Sequence, residues 1–181
     1  MNEMNNPVKL RTLDLFEQID APELPTQCRN HSKQLLPFDV AKFIKESEAP
    51  YFQSSHGALF DGDCMEFLKR VKPGVVDTVF ADPPFNLDKR YGSKSNDNLP
   101  DVKYLEWCKA WLDECVRVLK PGGSLFVYNL PRWNIVLGAY LMELGMMFRH
   151  DITVEVKSTL PIPGRLYPAH YSLLYFTKGK P

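Results

Sequence analysis

The chain lacks any excess of charge: its 181 residues carry 22 Lys+Arg and 22 Asp+Glu, a formal net charge of zero. That balance excludes an acidic solvating tail and a wholly basic nucleic-acid arm, but not a local basic surface. Long apolar runs are missing too. Nothing approaches the ~20 residues that span a bilayer, so no membrane partner is expected. The opening MNEMNNPVKL does not have the charged-then-apolar order of a secretory signal. Cysteine is sparse, with Cys28, Cys64, Cys108 and Cys115 and no CxxC pair. Cys28-x-x-His31 is half of a metal motif without its second half, so no metal is expected. Cys108 and Cys115 fall on one apolar face of a helical pattern and read as reduced core residues. The expected setting is a reducing cytoplasm. What is present is core material, 44% hydrophobic and 12% aromatic, enough for a domain of the usual ~100–200 residues.

Residues 1–56 differ from the rest. They hold Pro7, Pro22, Pro25, Pro37 and Pro50, with 6 basic against 8 acidic residues. They read as an N-terminal arm or linker in which only Leu35–Ile44 suggests a short helix. Residues 57–181 alternate strands and helices. Ala58–Phe60 reads as a short strand and Cys64–Val71 as a short helix. Val75–Ala81 is β-branched and apolar, as a strand buried on both faces should be. A polar stretch over 86–100 reads as a mobile loop. Val102–Leu119 has apolar residues at helical spacing, with Lys120-Pro121-Gly122-Gly123 as its stop and a glycine as its left-handed cap. Ser124–Asn129, Phe148–Lys157 and Tyr171–Thr177 read as strands. Trp133–Leu144 reads as a helix and Leu160–Tyr167 as a Pro/Gly loop. The order β-α-β-α-β-α-β-β gives an α/β fold with a mostly parallel sheet.

Asp82-Pro83-Pro84-Phe85 follows a buried strand, where ligands of open α/β sheets sit. Successive prolines fix φ twice and remove two N–H donors. The result is a stiff turn of acceptors, the Asp82 carboxylate and backbone carbonyls, with a phenyl ring at its end. A bland proline turn would merely end the strand. This one suits a planar exocyclic amine, whose lone pair is delocalised into its ring. Two acceptors taking its N–H bonds draw the nitrogen toward tetrahedral geometry and localise the pair, while the ring stacks on the base.

The helix, KPGG and strand over 102–127, together with DPPF, resemble S-adenosylmethionine-dependent methyltransferases, specifically the DNA amino-methyltransferases acting on N6 of adenine or N4 of cytosine. Gly62-Asp63-Cys64 with Phe67-Leu68, Lys157–Pro163 and Tyr167–Tyr171 resemble further segments of that family, so the likeness covers about residues 57–180. The acid-first DPPF form resembles N6-adenine enzymes more than N4-cytosine ones. Only Gly57, Gly62 and Gly74 precede Asp82, without a GxG pattern. The chain therefore resembles the circularly permuted group, in which the catalytic half comes first.

The resemblance implies a partial Rossmann-like methyltransferase sheet, mostly parallel with an antiparallel last strand, and S-adenosylmethionine as cofactor. It implies methyl transfer to the amine of a base flipped out of double-stranded DNA. Asp82, Pro83, Pro84 and Phe85 would be catalytic: Asp82 and the Pro83 carbonyl accept from the amine, and Phe85 stacks. Asp63, Cys64 and Asp82 would bind cofactor. Lys89, Arg90, Lys94, Lys157, Arg165 and His170 are the candidate DNA contacts; for any one of them ordinary solvated charge is the competing reading. From Arg149 onward five basic residues face two acidic ones.

In the permuted group a strand with a Phe-x-Gly-x-Gly-type loop follows the target-base half, and no such segment lies before Pro181. The expectation is a truncated or split catalytic half, needing a complementary cofactor-binding half or a second copy, with the Val75–Ala81 strand left at an open edge. The alternatives are a catalytically incompetent relative that binds DNA or a partner, and an RNA amino-methyltransferase.

Overall fold

In the computed structural model, which describes residues 38–45, 49–91, 95–156, 164 and 169–181 (backbone alone for 90, 91, 95 and 96), the apolar runs pair into a four-stranded sheet. The strands are β3 (Val76–Ala81), β6 (Leu119–Asn129), β7 (Met147–Glu155) and β8 (His170–Thr177), in the order β3-β6-β8-β7. β3 runs parallel to β6, and β8 runs antiparallel to both of its neighbours. Three strands thus share a direction and the last in sequence opposes them. The fold is α/β, with a mostly parallel sheet and an antiparallel last strand.

Three helices cover one face: α1 (Cys64–Arg70), α2 (Asp101–Val118) and α3 (Pro131–Glu143). Their apolar stripes meet alternate residues of the strands. Tyr104, Cys108, Leu112 and Cys115 of α2 and Leu137 and Leu141 of α3 pack with Leu125, Val127, Leu174 and Phe176. Arg117 ties α2 to α1, donating to the carbonyls of Val71 at 2.9 Å and Leu68 at 2.6 Å while pairing with Glu114. Among the described residues no helix is long and apolar enough to cross a membrane.

Several expectations change. The Ala58–Phe60 strand is β2 (Ala58–Leu59), but it pairs with β1 (Phe52–Gln53) in a separate hairpin rather than joining the main sheet. The described part of Leu35–Ile44 holds one 3₁₀ turn, Val40–Lys42, after which Ile44 is buried against Val71. β3 is not buried on both faces: Phe80 is 62% exposed, because among the described residues β3 is an edge strand and no helix covers that face.

The described parts of the 86–100 stretch, 86–91 and 95–100, are tied together by hydrogen bonds to Asp97 and Asn86. The stretch contains a hairpin of β4 (Arg90–Tyr91) and β5 (Ser95–Asn96). The buried Asp97 carboxylate accepts from the N–H groups of Asn86 at 2.7 Å, Leu87 at 3.1 Å and Lys89 at 3.0 Å. Asn86 and Leu99 bond reciprocally, side chain to backbone.

Helix α2 also ends differently. Leu119 is extended, with no left-handed glycine cap. The Lys178 ammonium takes the Val116 and Leu119 carbonyls instead, at 2.7 and 2.9 Å, which suits the negative end of a helix. The glycines serve a bulge within β6, where the register slips between Val76↔Leu119 and Thr78↔Ser124. Gly122 has φ +80 and donates to Lys178 O at 2.7 Å. A Cβ on Gly123 would meet Lys120 O at 2.9 Å and Asp77 O at 3.1 Å.

Candidate active site

Val76–Ala81 delivers Asp82, Pro83, Pro84 and Phe85 to the carboxyl end of β3, where the turn divides two clefts. Asp82, Pro83 and Pro84 line both. The first cleft, about 350 Å³, is almost wholly apolar; Cys64, Phe67, Val79, Trp107, Trp111 and Cys115 share its wall. The second, about 380 Å³, adds Phe85, Lys89, Tyr128 and Tyr171.

The second cleft is an aromatic box. Phe85 lies 5.6 Å from Tyr128 and 5.4 Å from Tyr171, ring centre to ring centre, and the two tyrosines are 5.5 Å apart. Partial burial first, then Tyr171 and the Asp82 charge, raise the Tyr128 phenol above its ordinary value, so it stays a neutral donor at physiological pH. Asp82 is exposed at the mouth of the cleft.

Behind the turn, two side chains hold its last carbonyls. The Tyr104 hydroxyl donates to Pro84 O at 2.7 Å, and the Trp133 indole N–H donates to Phe85 O at 3.0 Å. Burial drives the Tyr104 phenol far above its ordinary pKa, so this donor keeps its proton. Among the described residues, the Pro83 carbonyl has no hydrogen-bond donor.

Asp63 and Cys64 do not end a sheet strand. Asp63 caps α1: its Oδ1 accepts from Met65 N at 2.8 Å and Glu66 N at 3.2 Å, a use that α-helix N-termini favour. Cys64, at the first position of α1, lines the apolar cleft beside Asp82. Partial burial and the Asp63 charge raise its thiol above the ordinary value. Lys89 lies at the aromatic cleft, Arg90 opens β4, and His170 is exposed at the start of β8. Lys94, Lys157 and Arg165 lie outside the described residues, as do Cys28 and His31. Tyr104, Tyr128 and Trp133 were not singled out from the sequence, and Tyr171 entered only as the end of the Tyr167–Tyr171 segment. Their one legible signal was placement: each sits within about a turn of the start of a helix, or near a strand end on the same side of the sheet as Asp82.

A family profile described as DNA methylase, N6_N4_Mtase, matches residues 76–181. The chain belongs to this family. Among curated relatives, the chain is 55% identical over 149 residues to the Type II methyltransferase M.BamHI of Bacillus amyloliquefaciens, covering 82% of this chain and 34% of that one. It is 35% identical over 121 residues to M.HpaI of Haemophilus parainfluenzae, covering 66% and 38%. The chain thus spans about a third of the length of these relatives. Its fold is similar to that of PvuII DNA methyltransferase (cytosine-N4-specific), with a TM-score of 0.54 at 23% identity, over 68% of this chain and 49% of that one.

Proposed function

We propose that this chain is the target-base half of a DNA methyltransferase of the restriction-modification kind. It would act on the exocyclic amine of a base flipped out of double-stranded DNA, with S-adenosylmethionine as methyl donor. One observation carries the reading: Asp82, Pro83 and Pro84 of the acceptor turn are the shared wall of an aromatic cleft and an apolar cleft. A donor on one side and an acceptor on the other would meet across it.

The aromatic cleft suits a flat base, with Phe85 as stacking surface and Lys89 at the rim. The Asp82 carboxylate and Pro83 carbonyl accept the two N–H bonds of the amine, which localises the nitrogen lone pair. As the carbon–nitrogen bond forms and the donor's sulfur–methyl bond breaks to leave a neutral thioether, Asp82 would take the proton the methylated nitrogen sheds and pass it to the water that reaches it. The apolar cleft would hold the flat heterocycle of the cofactor, with Asp82 as the carboxylate in its wall. Bound there, the cofactor supplies an activated methyl group on a sulfonium. Cys64 lines this cleft from the start of α1, and Asp63 precedes it as the helix cap. Rate enhancement is then mostly positioning and electrostatics. DNA backbone contacts fall to Lys89, Arg90, Lys94, Lys157, Arg165 and His170. A complementary segment carrying a glycine-rich loop would complete the cofactor site.

The test is transfer of a labelled methyl group to duplex DNA, by the chain alone and with the part of M.BamHI outside the alignment added as a separate polypeptide. Transfer is expected with the added segment, and Asp82→Ala should lower it by about a hundredfold or more. Mass spectrometry of the digested DNA reads N6-methyladenine against N4-methylcytosine. The Asp-first turn favours adenine. Absence of both cofactor binding and transfer in every pairing would overturn the proposal. Labelled RNA in place of duplex DNA would reassign the substrate.

A further inference from the structure

Of the four carbonyls in the Asp82–Phe85 turn, the last two are claimed from behind by helix side chains. The claim is directional. Leu130 N–H donates to Asn129 Oδ1 at 2.7 Å, which fixes the amide orientation. The Asn129 Nδ2 group then donates to the Tyr104 oxygen at 3.0 Å. A phenol has one hydrogen, and with its oxygen already accepting, that hydrogen points to Pro84 O at 2.7 Å. Asn129 is fully buried and Tyr104 is 2% exposed, so water does not compete. Trp133 holds Phe85 O at 3.0 Å, and its ring lies 4.7 Å from that of Tyr104. Arg132 covers Trp133 with its guanidinium 4.0 Å from the ring centre.

The prolines matter here. A turn with two prolines cannot anchor itself through its own N–H groups. Its orientation must come from donors elsewhere, and Tyr104 and Trp133 are those donors.

We propose that Tyr104, oriented by Asn129, and Trp133 are positioning residues for methyl transfer: they pin the Pro84 and Phe85 carbonyls so that the Asp82 carboxylate and Pro83 carbonyl alone face the amine. This rests on reading the turn as the amine acceptor. Neither residue lines either cleft. A free Pro84 carbonyl would let the turn rotate and offer the amine a misplaced acceptor.

The experiment compares Tyr104→Phe and Trp133→Phe with Tyr140→Phe. The control deletes a phenol hydroxyl bonded to Asp113 on the helix surface. Kinetics are measured with the added segment, as single-turnover rate alongside the dissociation constants for cofactor and duplex. Each clamp variant should lower the rate by about tenfold to a hundredfold, the cost of small misplacement, while both dissociation constants stay within about threefold. Tyr140→Phe should keep the wild-type rate. Unchanged rates in both clamp variants would overturn the proposal, as would losses that appear wholly in affinity or in the folded fraction. A second readout needs no activity: the carbonyl ¹³C resonances of the turn in the full chain. Tyr104→Phe should shift that of Pro84 and also displace or broaden those of Asp82 and Pro83. A shift confined to Pro84 shows a turn that does not depend on the clamp, and refutes the positioning role. If wild type transfers no methyl group, the functional reading fails, and the resonances alone decide whether the clamp sets the turn.

Discussion

One buried carboxylate organises the segment that leaves the turn. Asp97 is 4% exposed and accepts from three backbone N–H groups, those of Asn86, Leu87 and Lys89. Asn86 and Asp88 adopt φ near +59 and +58, which costs little for these residue types and curls the N–H groups into a concave nest. Asp97→Asn replaces one acceptor oxygen with an NH₂ group facing those donors. Hydrogen bonds to charged groups are worth ~1.5–3 kcal/mol each, so a loss of about 2–3 kcal/mol is expected in urea unfolding. Amide exchange of Asn86, Leu87 and Lys89 should accelerate together; unchanged protection at these three amides would contradict the assignment. The same residues show where a sequence stops being readable. Asp82–Phe85 was legible because two prolines constrain their own backbone. The nest was not, because nothing local links Asp97 to Asn86 across the intervening hairpin. Composition alone, rich in Asn, Asp and Ser, reads as a loop whether or not a carboxylate staples it.

At the scale of elements, α2 shows the easier case. Its apolar spacing fixes both its extent and its buried face, which carries Cys108 and Cys115. The KPGG stop was read correctly as an end and wrongly as a cap, because the residue that caps the helix, Lys178, comes about sixty positions later on the far side of β8. The buried thiols give α2 a pH signature. Burial pushes Cys108 up to about 11 and Cys115 up to about 12, from the ordinary 9.0 that both regain on unfolding. Between those values the native state holds protons that the unfolded state releases. Stability is therefore untouched below pH 9.0 and falls as pH rises through about 11 and 12. The slope is about 1.4 kcal/mol per pH unit for each thiol. Cys115→Ala should flatten the alkaline limb of urea midpoint against pH. An identical slope in that variant would assign the alkaline loss to other groups.

At the scale of the molecule, one face of the sheet carries no helix among the described residues. A row of rings crosses it in register on all four strands: Phe80 to Phe126 at 6.4 Å, Phe126 to Tyr175 at 4.6 Å, and Tyr175 to His150 at 6.3 Å. The row ends at β3, whose far edge has no strand partner among the described residues. Parallel strands ordinarily sit in sheets covered on both faces, and an open apolar edge is a template for association. The edge position of β3 was legible from the order of the segments, whereas the bare face was not, since alternation within β6 and β8 fits one covered face or two. Under the proposed function, the complementary segment would cover both the row and the edge. Without it, the chain is expected to self-associate with rising concentration in sedimentation velocity, and Phe80→Lys should suppress this by placing a charge at the corner where row and edge meet. Phe80 lies outside the core and is 62% exposed, so the substitution should shift stability by only about 0.5 kcal/mol. With the segment added, the same variant should bind it more weakly than wild type. A chain that stays monomeric at all concentrations, and whose pairing ignores Phe80→Lys, would place the complementary surface elsewhere.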